Sequence, residues 1–225
     1  MSQYALQDKH RMRARCHGNN GPDRKLLPTF QQLGEYDETS FLALKELVMA
    51  RIASHPDDYS DVNNSDVYEI AQACMLKDFF HQSLPAYRQL LLQTTGDRPE
   101  GADEVPDEWE YQNYQEPRFG PLINQFVNPH FRSRIAIAPP KGTVGWHIDT
   151  NTNYACRASI MIQGVQEFKI ERCGVIETQV MKPGEVWFKN TGYNHCVEVL
   201  SDEPRIVIIT GCFYNAIEDM VPCLS

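Results

Sequence analysis

From residue 121 onward the chain is written in short segments rich in β-branched and aromatic residues. They are "LINQFV", "RSRIAIA", "RASIMIQG", "EFKIER", "IETQVM", "EVWFKN", "HCVEVLS" and "RIVIITGCFY". Gly, Pro, Asn and Asp separate them at spacings of roughly 8 to 12 residues, the pattern of an antiparallel sandwich or barrel. "MKPGEVWF" reads as a Pro-Gly turn leading into a strand.

The first half has a different character. "DETSFLALKELVMARIASH" opens on a capping cluster at Asp37 to Ser40, and Phe41, Leu42, Leu44, Leu47, Val48 and Ile52 then recur at helix spacing. A second helical stretch is expected from about Asp66 to His81, carrying Val67, Ile70, Ala71, Cys74 and Met75. A third covers "LPAYRQLLLQTT", with Pro85 near its first turn. The acidic, Pro- and Gly-rich "GDRPEGADEVPDEWEYQNYQEPRFGP" holds Trp109, Tyr111 and Tyr114 and is too polar for a core element. Its length suits a linker or a functional lid. The expected fold is α+β: a jelly-roll-like β-domain over residues 118–225, preceded by a helical flank and acidic loop over 28–117 and a polar tail over 1–27, with one shared core.

Composition narrows the functional classes. A chain of 225 residues, 42% hydrophobic and 23% charged, is long enough for one large domain and ordinary for a soluble globular protein. No apolar run approaches the roughly 18 to 20 residues that span a bilayer. Met1 to Lys25 is polar and lacks the apolar stretch of a secretory signal. Arg11, Arg13 and Arg15 hint at a transit peptide, but Asp8 and the absence of Ser-rich character argue against one. A net charge of −9 argues against a duplex nucleic-acid partner, which needs a basic face. Seven cysteines (Cys16, Cys74, Cys156, Cys173, Cys196, Cys212 and Cys223) are an odd number without CxxC spacing. They point to reduced thiols, and hence to the cytoplasm, rather than to a disulfide framework or zinc ribbon.

Within the β-rich half, "GTVGWHIDTNTNYACR" places His147 and Asp149 at i and i+2, which on a strand share a face. His195 follows in "NTGYNHCVEV", and Arg205, ten residues later, opens "RIVIITG". Two imidazoles and one carboxylate suit octahedral Fe(II), occupying one face and leaving three positions open. A buried arginine at Arg205 could clamp a carboxylate through two parallel N–H donors. Each residue alone has a plain reading, as a turn polar group, a core-edge histidine or a solvated strand end. All four in order, each at the boundary of an expected strand, point to a metal site.

The segment "RSRIAIAPPKGTVGWHID…R…KIER…MKPGEVWFKNTGYNHCVEV…PRIVIITGCFY" resembles the Fe(II)/2-oxoglutarate-dependent oxygenases. Within them it is similar to the aspartyl/asparaginyl β-hydroxylase-type group, which includes free-proline hydroxylases. The resemblance covers roughly residues 117 to 215. It implies a double-stranded β-helix (jelly-roll, cupin-like) core, with His147, Asp149 and His195 as the metal triad. It also implies Arg205 as the holder of the far carboxylate of 2-oxoglutarate. Arg157 matches a second arginine facing a carboxylate of substrate or co-substrate, so it counts towards both sites. Pro183-Gly184 and Trp187-Phe188 match the turn and strand before the distal histidine. Asp149 departs from the vertebrate aspartyl hydroxylases, which lack a carboxylate there, and favours a small-molecule branch.

The resemblance implies Fe(II), 2-oxoglutarate as co-substrate, O2, and ascorbate as a possible stimulant. The function expected is hydroxylation of an unactivated C–H in a small carboxylate-bearing substrate such as an amino acid. Trp146, Thr150, Asn151, Asn153 and Tyr154 flank the proximal ligands as candidate substrate contacts, Arg157 is the strongest of the set, and Arg132 and Arg134 alternate on a neighbouring strand. Two alternatives stand beside this. One is a peptidyl Asp, Asn or Pro hydroxylase that docks peptide on the acidic loop. The other is a cupin-like metal-binding protein without oxygenase turnover, which would have no need of Arg205.

Overall fold

The computed structural model describes residues 28–54, 88–95, 111–127, 130–147 and 156–212. The polar tail, the expected helix at Asp66 to His81 and most of the acidic loop lie outside them.

Eight antiparallel strands form the core: β5 (His130–Ala138), β6 (Thr143–His147), β7 (Cys156–Gln163), β8 (Gln166–Arg172), β9 (Val175–Met181), β10 (Glu185–Asn190), β11 (Asn194–Val199) and β12 (Arg205–Cys212). They are divided between two sheets. A four-stranded sheet has the order β6-β11-β8-β9, and β10-β7-β12-β5 form the middle of a larger one. The chain crosses between sheets at nearly every turn, which is the winding of a double-stranded β-helix, or jelly roll. The Pro183-Gly184 turn is observed: Gly184 has φ +90° and the Glu185 N–H donates to the Lys182 carbonyl at 3.2 Å.

The flank contributes strands as well as helix. β1 (Phe30–Glu35) pairs with β10, and β2 (Arg88–Leu91) pairs with β5, so both edges of the six-stranded sheet come from the N-terminal half. Helix α1 (Glu38–Ser54) starts where Asp37 accepts from the Ser40 N–H at 2.9 Å, and it lies against β7. Leu44, Leu47 and Val48 are buried, whereas Leu42 is 57% exposed and does not belong to the apolar face.

Two expectations are corrected. "LPAYRQLLLQTT" is not helical where it is described, because β2 and β3 (Gln93–Thr95) occupy it. Its buried leucines, Leu90 and Leu92, alternate with period two, and β5 supplies the ladder partners. An apolar run this short carries too little periodicity to separate strand from helix. Conversely "LINQFV" is not a strand. Helix α2 (Phe119–Ile123) and a following turn bury Phe119, Ile123 and Val127, a spacing of four that turns one face inward. Pro121 sits in its first turn, where no intrahelical partner for an N–H is lost.

Part of the acidic loop is also structural. β4 (Tyr111–Tyr114) pairs with β3, and Tyr114 packs on Phe119 and donates or accepts with Ser133 at 3.0 Å.

Two apolar cores result. One fills the space between the six-stranded sheet, α1 and α2, and takes Ile135, Ala158, Ile160, Val186, Phe188, Ile206 and Ile208 from the sheet. The other is the barrel interior, with Ala136, Met161, Phe168, Ile170, Met181, Val197, Val207 and Ile209. The large sheet is therefore buried on both faces. Alternation along its strands decides which residues enter the barrel.

Candidate metal centre

His147 and His195 stand directly opposite each other in the β6–β11 ladder, with ring centroids 4.2 Å apart. A β-bulge makes this possible. His195 pairs with His147 but Val197 pairs with Val144, so Gly145 and Trp146 together oppose Cys196. The extra residue lets Val144 pack against the barrel core while His147, three residues on, meets His195.

Each ring is anchored in the same way. His147 Nδ1 lies 2.8 Å from the Gly145 carbonyl, and His195 Nδ1 lies 2.8 Å from the Tyr193 carbonyl. A carbonyl oxygen only accepts, so both Nδ1 atoms carry a proton, and in the neutral ring the lone pair is then on Nε2. This is the tautomer and the backbone support that metal-bound imidazoles use. Phe168 stacks on His195 with centroids 5.3 Å apart and planes 14° apart, fixing the ring plane further. The pair therefore offers two imidazole nitrogens that could hold a metal ion.

Cys196, between His195 and Val197, belongs by alternation to the other face of β11. Burial pushes its thiol up to about 11, and alternation turns it away from the face that His195 shares with Val197. Asp149 lies outside the described residues, as do Thr150, Asn151, Asn153 and Tyr154. Among the described residues no third His, Cys, Asp or Glu joins the two histidines.

Arg205 is 2% exposed and shares its strand face with Val207 and Ile209, which line the barrel. It opens β12 just after the turn that follows Val199, so it stands at the barrel floor, opposite Ala138. From His195 to Val199 the strand descends four residues, roughly 13 Å at about 3.3 Å per residue. Gly164, at φ +73°, lets the β7–β8 turn approach this strand start; a Cβ there would lie 3.1 Å from the Arg205 Cα.

Arg157 is buried and also faces the barrel, because Ala158 and Ile160 beside it face α1. It pairs with Gly211, six residues along β12 from Arg205, or roughly 20 Å at strand rise. The two arginines occupy opposite ends of the barrel and cannot clamp one carboxylate. Arg157 belongs to the histidine end. Arg134, opposite Ile209, shares the interior face of β5 with Ala136 and is half-buried. Trp146, in the bulge, is 38% exposed. Of Arg132 only the strand position is described.

Sequence reasoning missed Lys189 and Ser159. Lys189 is 2% exposed, lies directly opposite Arg157 in the β7–β10 ladder, and holds its Nζ 4.2 Å from the Phe168 ring centroid. Ser159, two residues after Arg157, is fully buried. In "EVWFKN" the lysine reads as the solvated half of an alternating strand. The available signal was that both Trp187 and Phe188 are large and apolar, which suits a strand buried on both faces.

No protein-family model matches the chain, and no curated protein is similar to it in sequence. Solved structures with a similar stretch include a variant of Bacillus subtilis oxalate decarboxylase, 19% identical over 40% of this chain and 25% of that one, with TM-score 0.31. An oxalate oxidase in complex with glycolate is 14% identical over 58% of this chain and 53% of that one, with TM-score 0.38. The cupin domain of Schizosaccharomyces pombe Cnp3 is 15% identical over 41% of this chain and 63% of that domain, with TM-score 0.31. In each case the match spans less than two thirds of the other chain. Similarity this low assigns neither a reaction nor a ligand; the jelly roll rests on the strand order itself.

Proposed function

We propose that the protein is an Fe(II)- and 2-oxoglutarate-dependent dioxygenase that hydroxylates a small carboxylate-bearing substrate such as an amino acid. The observation that carries this reading is the facing His147–His195 pair above an interior-facing arginine at the barrel floor. A metal-binding jelly roll without 2-oxoglutarate has no use for a carboxylate clamp at that depth, whereas an interior-facing guanidinium suits one.

In this reading the Nε2 atoms of His147 and His195 hold the metal, with Asp149 as the third ligand. Bound Fe(II) and 2-oxoglutarate supply the oxidising chemistry, with O2 consumed and succinate and CO2 released. Arg205 receives the far carboxylate of 2-oxoglutarate through its paired N–H donors and sets the depth at which that diacid sits. Met161, Val197, Val207 and Ala136 line the interior between floor and histidines and exclude water from it. Arg157, at the histidine end, orients the substrate through its carboxylate.

The test is succinate release from 2-oxoglutarate by the purified protein with Fe(II), ascorbate and O2, against a panel of amino acids and peptides, with His147→Ala as the blank. Succinate that depends on His147 and rises with a free amino acid supports the proposal. Stimulation by peptides alone would move the substrate to the peptidyl class. Fe(II) binding without succinate would leave a metal-binding jelly roll.

A further inference from the structure

Strand β9 ends the four-stranded sheet, so among the described strands only β8 pairs with it. Edge strands are commonly blunted by a lysine, a proline or a bulge. β9 holds neither residue, and its register against β8 runs from Gln166–Met181 to Arg172–Val175 without a shift. It also carries Val175, Ile176 and Val180, three of the seven large hydrophobic side chains exposed among the described residues. A regular edge with that much exposed apolar surface is a template for a further strand.

The β8–β9 hairpin fixes which backbone groups face outward. Its two-residue turn, Cys173-Gly174, has positive φ at both positions, +53° and +78°, the form of a type I′ turn. Such a turn closes on a hydrogen-bonded pair, here Arg172–Val175, and hydrogen-bonded pairs then recur at every second position. Val175, Glu177, Gln179 and Met181 therefore direct their N–H and C=O groups to β8, and Ile176, Thr178 and Val180 direct theirs to the open edge.

This edge is complementary to itself. When a second β9 is laid antiparallel with Thr178 on the two-fold axis, every outward residue meets an outward residue. Ile176 stands opposite Val180 of the second copy, Thr178 opposite its own counterpart, and Val180 opposite Ile176. The two Ile–Val pairs cover side chains that are 56% and 37% exposed in the single chain. On the other face Glu177 meets Gln179, so no like charges oppose each other. An axis through Glu177 instead would set two carboxylates face to face, so charge selects the register.

We propose that β9 is the dimer interface of this protein: two copies join edge to edge into one continuous sheet, four strands from each, two-fold symmetric about Thr178. Pairing consumes the one open edge of β9 on each copy, so the assembly closes at two. The inference is independent of the reaction. It sets β8, whose Phe168 stacks on His195, one strand from the interface.

The experiment is sedimentation equilibrium of the full-length protein from about 1 μM to 1 mM, the range in which a small interface associates. The wild type should pass from monomer to dimer and no further. Thr178→Lys and Thr178→Glu each place like charges across the axis and should raise the dimer dissociation constant by about 10- to 100-fold. An equimolar mixture of the two variants should recover the dimer, because opposite charges then face each other. Thr178 is exposed, so thermal midpoints at the lowest concentration should agree among all three proteins, which separates loss of pairing from loss of fold. A wild type that stays monomeric throughout overturns the proposal, as does a dimer that both variants form as readily. Variants that remain apart when mixed also overturn it, because the two-fold register about Thr178 is then wrong.

Discussion

His147 and His195 meet across a bulged ladder with both Nδ1 protons committed to backbone carbonyls two residues upstream. The backbone thus sets the tautomer of the neutral rings before any ligand arrives, with the ring centroids 4.2 Å apart. Removing either imidazole should cost more metal affinity than the roughly 10- to 100-fold that loss of an outer supporting partner costs. Titration of His147→Ala and His195→Ala with Co(II), followed by its visible absorption, checks this. Cys196→Ser should leave the affinity unchanged, because alternation along β11 sets Cys196 on the face opposite His195.

Arg205→Met should raise the dissociation constant for 2-oxoglutarate by about 10- to 100-fold, the range of a charge-assisted pair, with Co(II) affinity little altered. The methionine keeps much of the buried volume, so the comparison reads the charge. Equal loss of metal and 2-oxoglutarate binding in a calorimetric titration would make Arg205 a structural residue.

Gly164 and Gly174 form a matched pair. Both have positive φ, at +73° and +78°, but a Cβ at Gly164 would meet Ser201 Oγ at 2.8 Å and the Pro204 carbonyl at 3.0 Å, whereas nothing lies within 4 Å at Gly174. Gly174→Ala should cost only the backbone conformation, about 1 kcal/mol. Gly164→Ala should cost about 1–3 kcal/mol more, and it should also weaken 2-oxoglutarate binding by displacing the start of β12. Urea midpoints for both variants test the first statement, and calorimetry on Gly164→Ala tests the second.

Burial holds the His130 imidazole below its ordinary pKa. Its Nδ1 donates to the Val127 carbonyl at 2.9 Å, and its Nε2 meets the Tyr114 hydroxyl. Because the folded value is depressed, the fold favours the neutral ring. That contribution is fully present above the ordinary value of about 6.5 and is lost as pH falls through it towards the folded value. The thermal midpoint should therefore fall more steeply between pH 7.5 and pH 5.5 in the wild type than in His130→Gln. Parallel slopes would mean that His130 protonation is not linked to folding.

Much of the frame was legible in the sequence. The Asp37 cap and the α1 periodicity, the short strands after residue 130, and the Pro183-Gly184 turn are all local signals, and all are present in the structure. The order His147, His195, Arg205 was legible too; the structure brings the two histidines together and sets Arg205 at the other end of the barrel. Short apolar runs failed in both directions: residues 88–95 joined a sheet because β5 and β4 offered ladder partners, and Phe119, Ile123 and Val127 took helical spacing under α1. The bulge at Gly145–Trp146 was also invisible, because register belongs to a pair of strands and a single segment does not record it. Sequence alternation established that Trp187 and Lys189 share one face, and Val186 and Phe188 the other. Only the tertiary structure decided which face entered the barrel. α1 covers Val186 and Phe188, so Lys189 is carried inward to Phe168 and His195, at the end of the barrel away from Arg205. Where both faces of a sheet are buried, hydrophobicity alone does not distinguish inside from outside, and the packing of the neighbouring layer makes the choice.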